Sequence, residues 1–156
     1  LVGSEMCIRD RITDATLVIY GYGGELDRLK QQVSQLHLET AVTFAGYQPN
    51  LTMAYDQAGA YVYTGESDAQ PLSLIEALSH GVPAIAYDIN YGPKDVLKDG
   101  KNGYLVTDGA VNQLVRALTR TLESPQRQQR LSKGAYRSSE QYSDEQVWQQ
   151  WQPVVQ

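Results

Sequence analysis

Residues 66–107 read ESDAQPLSLIEALSHGVPAIAYDINYGPKDVLKDGKNGYLVT and combine one helical pattern with two short β-rich runs. The helical pattern, PLSLIEALSH (71–80), begins with a proline, which a first helical turn tolerates because its N–H groups have no partner inside the helix. Gly81 follows as a typical C-terminal stop. The apolar runs PAIAYD (83–88) and GYLVT (103–107) then predict two strands.

The same alternation continues on both sides of this stretch. Upstream, apolar runs at 15–20, 41–46 and 60–64 predict strands, and the patterns at 25–36 and 51–58 predict helices. Downstream, helices are expected at 110–124, 124–141 and 144–151, the last packed onto a neighbour by Tyr142, Trp148 and Trp151. Alternating strands and helices indicate an α/β fold, a Rossmann-like doubly wound sheet of mostly parallel strands.

The composition of the chain argues against several classes of function. The chain has 156 residues, 42% hydrophobic and 20% charged, with a formal net charge of −5, which is ordinary for one globular domain. Lysines and arginines look scattered, so a nucleic-acid partner is not expected. No apolar run is long enough for a transmembrane segment. The single cysteine, Cys7, fits a cytoplasmic location, and His37 and His80 lack metal-ligand spacing.

The first eleven residues, LVGSEMCIRDR, differ from the rest because they show no strand or helix periodicity. We expect residues 1–11 to be a non-native segment and exclude them from fold reasoning. Residues 12–156 are then the folded unit.

Five motifs, in order, resemble one known family. The run DAQPLSLIEALSHGVPAIA (68–86) is similar to the acidic-loop, helix and Gly-x-Pro core of GT-B glycosyltransferases of family 4, or group 1. LVIYGYGGELDRL (17–29), VTFAGYQPN (42–50) and DGKNGYLV (99–106) resemble further motifs of its C-terminal, donor-binding half. YDINYGPKD (87–95) resembles the bacterial branch that glycosylates teichoic acids and surface glycoproteins. The resemblance covers about residues 14–140.

The resemblance implies roles for two carboxylates and the loop between them. Asp68 and Glu76 stand at the two ends of the family's E-x7-E motif, where the first acid contacts the donor sugar and the second accepts hydrogen bonds from ribose hydroxyls. The amides of Leu72 and Ser73 would face the diphosphate at a helix N-terminus. Asp68 and Glu76 are the expected catalytic pair; a helix-surface acid is the alternative for Glu76.

This sequence departs from the family pattern within that loop. Asp68 is one methylene shorter than the usual Glu, and Glu66 lies too far from Glu76 to replace it. Pro71 has no N–H to offer a phosphate. The segment 90–93, NYGP, takes the place of a Gly-Gly turn that approaches the donor sugar.

A second group of candidate residues precedes this loop. Gly21 and Gly23, in GYGG (21–24), close a strand and open a helix, so their backbone could face a phosphate, or could simply form a tight turn. Tyr47 could lie against the nucleotide base, or could be an incidental surface residue. The glycines also suggest a dinucleotide oxidoreductase, but AVTFAGYQ (41–48) ends without the acid that would hold a ribose.

The resemblance also implies parts that these 156 residues do not supply. We expect an N-terminal acceptor domain to be missing, together with the central first strand of the donor half and its Arg–Lys pair, so that the chain is a truncated domain, marginal and inactive alone. Arg9 and Arg11 lie too near the first strand for that role. Two strands would then lack the partner between them.

The resemblance thus implies a retaining transferase of hexose or N-acetylhexosamine. Its nucleotide-sugar donor, most simply UDP-linked, is a substrate, and neither cofactor nor metal is expected. Its acceptor would be a cell-envelope polymer or protein. The alternative is a non-catalytic GT-B partner subunit that binds the acceptor or stabilises a true transferase.

Overall fold

The computed structural model describes residues 15–155, so the expected non-native segment 1–11 lies outside the described residues. Within them, strands and helices alternate as the sequence predicts, and most bounds agree to within two residues. The strands are β1 (Leu17–Tyr20), β2 (Val42–Gly46), β3 (Tyr61–Tyr63), β4 (Ala84–Asp88) and β5 (Gly103–Thr107). The helices are α1 (Leu26–Gln35), α2 (Thr52–Gln57), α3 (Leu72–Ser79), α4 (Pro93–Val96), α5 (Val111–Leu122), α6 (Pro125–Ser139) and α7 (Asp144–Val155), with a 3-10 turn at Glu140–Tyr142.

The strands form two parallel sheets rather than one. β1 pairs with β2, and β3, β4 and β5 pair in that order. In residues 15–155, β1 and β3 therefore each keep one edge without a strand partner. Among these residues, the two edges without a partner correspond to the place of the central strand in the doubly wound order 3-2-1-4-5-6.

Helices cover both faces of the larger sheet, as expected for parallel strands. β4 is its central strand, and Ala84, Ile85 and Ala86 are fully buried. Ala84 and Ala86 belong to the apolar cluster that includes α3, whereas Ile85 belongs to the cluster that includes α5. Since successive side chains of a strand point to opposite faces, α3 and α5 lie on opposite sides. This sandwich fixes the start of α3, on which the site depends.

Helix α7 differs from its prediction in two respects. It ends at Val155, four residues later than expected, and it buries none of its residues. Trp148 and Trp151 are 59% and 58% exposed, so the expectation that they pack the helix onto a neighbour is wrong within the described residues. Tyr142 alone packs as expected, against the apolar cluster of α3 and β4.

Gly134, on α6, lets that helix approach the turn before β5. A Cβ at this position would lie 2.0 Å from the Lys101 carbonyl oxygen, which is backbone and cannot swing aside. We expect Gly134→Ala to lower the free energy of unfolding by about 1–3 kcal/mol, as overpacking does, although alanine has the higher helix propensity. Urea unfolding measures the change. Gln129→Ala, an exposed change in the same helix, serves as control, and a more stable Gly134→Ala variant would contradict this packing.

Candidate functional site

The loop between β3 and α3 presents a fixed carboxylate. The Tyr63 hydroxyl donates a 2.9 Å hydrogen bond to Asp68 Oδ2, and the Gln70 amide donates to Oδ1 at 3.0 Å. The second bond is a side-chain turn typical of aspartate. A glutamate, with its longer side chain, would not close the same short turn. Asp68 is therefore anchored on the wall of the loop, half-buried rather than free in solvent.

Glu76 lies in α3, one turn after Ser73, and is exposed to solvent. One of its carboxylate oxygens is hydrogen-bonded by the protein. The Tyr55 hydroxyl lies 3.2 Å from Glu76 Oε2 and 3.4 Å from the Ser73 carbonyl oxygen. Tyr55 is itself buried in α2, so its hydroxyl approaches from a rigid position. One carboxylate oxygen is thus oriented by the protein, and the other is available to a ligand.

Three tyrosines form the floor beneath these two acids. Besides Tyr55 and Tyr63, the Tyr61 hydroxyl donates a 2.8 Å bond to Ser73 Oγ. Burial raises the pKa of Tyr61, and Glu76 and Asp68 raise it further, although its bond to Ser73 acts the other way. Burial and then the bond to Asp68 raise the pKa of Tyr63 to about 12. Burial also raises the pKa of Tyr55. All three phenols therefore stay protonated and act as donors near neutral pH.

Free backbone amides lie between the two carboxylates. The Pro71 carbonyl accepts hydrogen bonds from Leu74 and Ile75, which closes the first turn of α3. The amides of Leu72 and Ser73 have no hydrogen-bond partner among residues 15–155. Such orphan donors, together with the helix dipole, favour an anion. Pro71 is buried at the N-cap and, as expected, contributes no donor.

A strained loop closes the other side of the site. Tyr91 and Gly92 both have positive φ, 73° and 88°. A Cβ on Gly92 would lie 2.4 Å from the Asp68 carbonyl oxygen, so the two loops pack backbone to backbone. Tyr91 is 73% exposed and has a conformation that costs a non-glycine residue energy. Strain at this point indicates that the segment 90–93 is held against the Asp68 loop.

The second group of candidates is assembled at the smaller sheet. The Gly21 amide donates a 2.8 Å bond to the Gly46 carbonyl, which joins the loop after β1 to the last residue of β2. The rings of Tyr22 and Tyr47 meet edge to face, 6.1 Å apart. Gly23 lies in the same loop with open space around it. Both tyrosines are largely exposed, so they offer aromatic surface to a planar ligand.

The structure thus brings the predicted residues together in two groups. Both follow the C-terminal ends of parallel strands, where open α/β sheets bind ligands. No hydrogen bond between described residues joins the groups. The first group, on the acidic loop and the start of α3, contains Asp68, Leu72, Ser73 and Glu76. The second group, on the glycine loop and the loop after β2, contains Gly21, Gly23 and Tyr47.

Three tyrosines that the sequence did not indicate as site residues complete the site. Tyr55, Tyr61 and Tyr63 donate to groups on the acidic loop and α3. The alternation of Tyr61 and Tyr63 along one strand is a signal that both share a face. Tyr55 gives no such signal, because its partner Glu76 lies 21 residues away.

His80 is the C-cap residue of α3. Its Nδ1 lies 2.9 Å from Asp56 Oδ1, and its ring stacks on Tyr55 at 5.3 Å. These contacts brace the tyrosine from behind. The described residues contain no group of His, Cys, Asp and Glu side chains suited to a metal ion. Among the described helices, none has the length and apolarity to cross a membrane.

The chain belongs to a family of sugar-transferring enzymes. Residues 7–138 match the family described as glycosyl transferases group 1, so the resemblance seen in the motifs is confirmed. The oxidoreductase alternative is excluded by this match, which covers the glycine loop as well as the acidic loop.

Individual relatives and solved structures are consistent with the family. Poly(glycerol-phosphate) alpha-glucosyltransferase of Bacillus subtilis (strain 168) is 29% identical over 140 residues, 90% of this chain and 21% of the relative. The GtfA subunit of the UDP-N-acetylglucosamine–peptide N-acetylglucosaminyltransferase of Streptococcus gordonii is 29% identical over 161 residues, 99% of this chain and 32% of the relative. A crystal structure of Staphylococcus aureus TarM with UDP is 25% identical and superposes with a TM-score of 0.91, covering 98% of this chain and 31% of that one.

These coverages bear on the domain organisation. The chain spans between a fifth and a third of the length of these proteins. The fold is that of one part of a GT-B glycosyltransferase, an α/β unit with parallel sheets.

Proposed function

We propose that this chain is the donor-binding part of a retaining glycosyltransferase. It would bind a nucleotide-diphosphate sugar, most simply a UDP-linked hexose or N-acetylhexosamine, for transfer to a cell-envelope polymer or protein. The observation that carries the proposal is the order of groups along one loop and helix. Anchored Asp68 is followed by the free amides of Leu72 and Ser73 and then by Glu76.

Each group suits one part of such a donor. The outward oxygen of Glu76 can accept hydrogen bonds from a ribose diol, and charge-assisted bonds are the stronger kind. The amides of Leu72 and Ser73 can stabilise the diphosphate, including the charge that grows as it leaves. Asp68 can accept from a sugar hydroxyl. Tyr47 offers its ring to the base. The Gly21 amide is bonded to the Gly46 carbonyl, so it holds the loop after β1 in place and is not free to face a phosphate.

The remaining functions are assigned elsewhere in the protein. Acceptor binding and the cations that offset the diphosphate belong, in this proposal, to an N-terminal domain and to the strand that fills the gap between β1 and β3. The chain alone would then bind donor without transferring sugar. The nucleotide sugar is a substrate here rather than a resident cofactor, no metal is invoked, and a cytoplasmic supply of activated sugars is assumed.

A thermal melt of the full-length protein with and without UDP tests this proposal. A ligand that binds only the folded state stabilises it by about 2.7 kcal/mol at 100 times its Kd. We expect UDP to raise the melting temperature, and Glu76→Ala to reduce the rise. A cooperative melt that UDP leaves unmoved would contradict donor binding.

A non-catalytic partner subunit is the second candidate. It is favoured by the departures within the acidic loop, where Asp68 replaces the longer acid and Pro71 removes an amide. Incubating the full-length protein with UDP-glucose or UDP-N-acetylglucosamine separates the two. Release of UDP in the presence of acceptor supports the transferase, whereas donor binding without UDP release supports the partner.

Tyr55→Phe tests whether the Tyr55 hydroxyl orients the Glu76 carboxylate for UDP binding. The variant keeps the buried ring and removes only the hydroxyl that contacts Glu76 and Ser73. Loss of one hydrogen bond predicts a weakening of UDP affinity of about 2–10-fold. Calorimetric titration measures it, with Tyr136→Phe, an exposed phenol on α6, as the matched control. Equal affinity in both variants would show that Glu76 needs no support from Tyr55.

A further inference from the structure

A basic cavity lies between α6 and the turn that precedes β5. It has a volume of about 680 Å³. Its lining includes five of the chain's 13 lysines and arginines and no acidic residue, although the chain as a whole carries a net charge of −5. The five cations are Lys98, Lys101, Arg130, Lys133 and Arg137. The expectation of scattered cations is therefore wrong for this part of the fold.

This cavity is separate from the donor site. Lys98 and Lys101 precede β5, so they lie at the N-terminal edge of the parallel sheet, whereas Asp68 follows β3 at the C-terminal edge. The two sites thus face opposite ends of the strands. A ligand in the basic cavity would not compete with a donor on α3.

The five cations form no ion pair with any residue in the described range 15–155. Arg130, Lys133 and Arg137 follow one another at spacings of three and four along α6, so like charges share one face of the helix and repel. Lys101 adds a charge from the opposite wall. An unneutralised arrangement of this kind destabilises the helix, and a bound anion would relieve it.

Buried hydrogen bonds hold the wall of the cavity in place. Buried Asn102, 1% exposed, accepts a 2.8 Å bond from the Lys98 amide and donates to Ser138 Oγ at 2.8 Å and to the Val96 carbonyl at 3.1 Å. This network fastens the lysine-bearing turn to α6. Gly134 allows the close approach, since its missing side chain leaves room for the Lys101 carbonyl. The backbone that carries the cations is thereby fixed on both walls, while the cationic side chains are exposed.

We propose that this cavity binds a phosphate group carried on a polyol. Guanidinium groups match phosphate oxygens with paired donors, and lysines add compact positive charge. Gln126 and Gln129 also line the cavity, and their amides supply neutral donors and acceptors for hydroxyls. The phosphate can belong to a soluble polyol phosphate or to a lipid headgroup, which share this chemistry. The inference does not depend on the proposed function.

The test uses the full-length protein with saturating UDP, which keeps any donor site occupied. Glycerol 3-phosphate is titrated by calorimetry, and binding to phosphatidylglycerol vesicles is compared with binding to phosphatidylcholine vesicles. The variant is Arg130→Gln with Lys133→Gln. Lys30→Gln with Arg116→Gln removes the same charge from α1 and α5, outside the cavity.

We expect binding of glycerol 3-phosphate or of the anionic vesicles, weakened about tenfold or more by the cavity pair and less than about twofold by the control pair. Binding of the soluble ligand identifies a polyol phosphate, and binding of the anionic vesicles alone identifies a headgroup. The proposal is overturned if neither probe binds, or if both variant pairs weaken binding equally, which would indicate a general effect of net charge.

Discussion

Glu76→Gln is expected to weaken UDP binding by about 10–100-fold. The substitution preserves shape but removes the charge that strengthens hydrogen bonds from the ribose hydroxyls, and bonds to charged groups contribute about 1.5–3 kcal/mol. Because Glu76 is exposed on the surface of α3, the fold should tolerate the change. Calorimetric titration of the protein with UDP measures the loss.

Glu66→Gln is the matched control for this prediction. Glu66 lies in the same loop and is also exposed, so the substitution changes the net charge near the site equally. We expect its UDP affinity to stay within about twofold of the unmodified protein, because surface charges in water interact weakly. An equal loss in both variants would mean that the site responds to general charge rather than to a bond at Glu76.

Gly92→Ala is expected to damage both stability and donor binding. A Cβ there would lie 2.4 Å from the Asp68 carbonyl oxygen, so the acidic loop or the segment 90–93 must move. The positive φ of 88° adds strain for any residue with a side chain. We expect the free energy of unfolding to fall by about 2–4 kcal/mol, from strain and overpacking together. UDP-sugar affinity should fall as well, since Asp68 is displaced.

Gly109→Ala separates the effect of backbone strain at positive φ from the effect of displacing the Asp68 loop. Gly109 has a similar φ of 70°, but a Cβ there would meet no atom within 4 Å. It should cost about 1–2 kcal/mol in unfolding free energy and leave UDP-sugar affinity unchanged. Unfolding in urea and calorimetric titration of both variants make the comparison. Equal effects on affinity would contradict the contact between the two loops.

Local patterns were sufficient to predict most of the fold. β5 was predicted at its observed bounds because its five residues are bracketed by turn residues, and Pro71, Gly81 and Pro125 mark helix ends. The partnerless edges of β1 and β3 agree with the expectation that rests on the family resemblance. The full exposure of α7 could not be predicted, since its apolar spacing indicates burial but not the partner.

The site was predictable only where it is local in sequence. Asp68, Leu72, Ser73 and Glu76 share one loop and helix, so their spacing predicts their proximity. The support from Tyr55 depends on α2 packing against α3, which no spacing reveals. The basic cavity is intermediate: three of its cations share one face of α6, but Lys98 and Lys101 join them through tertiary contacts, namely the bonds of Asn102 and the close approach at Gly134.

A crystal structure of the full-length protein with UDP tests the central claim most directly. The account predicts that the diphosphate accepts hydrogen bonds from the amides of Leu72 and Ser73, within about 3.2 Å. The ribose hydroxyls should contact Glu76, with Tyr55 still bonded to the same carboxylate. UDP bound away from the start of α3, or with its ribose turned from Glu76, would contradict the account.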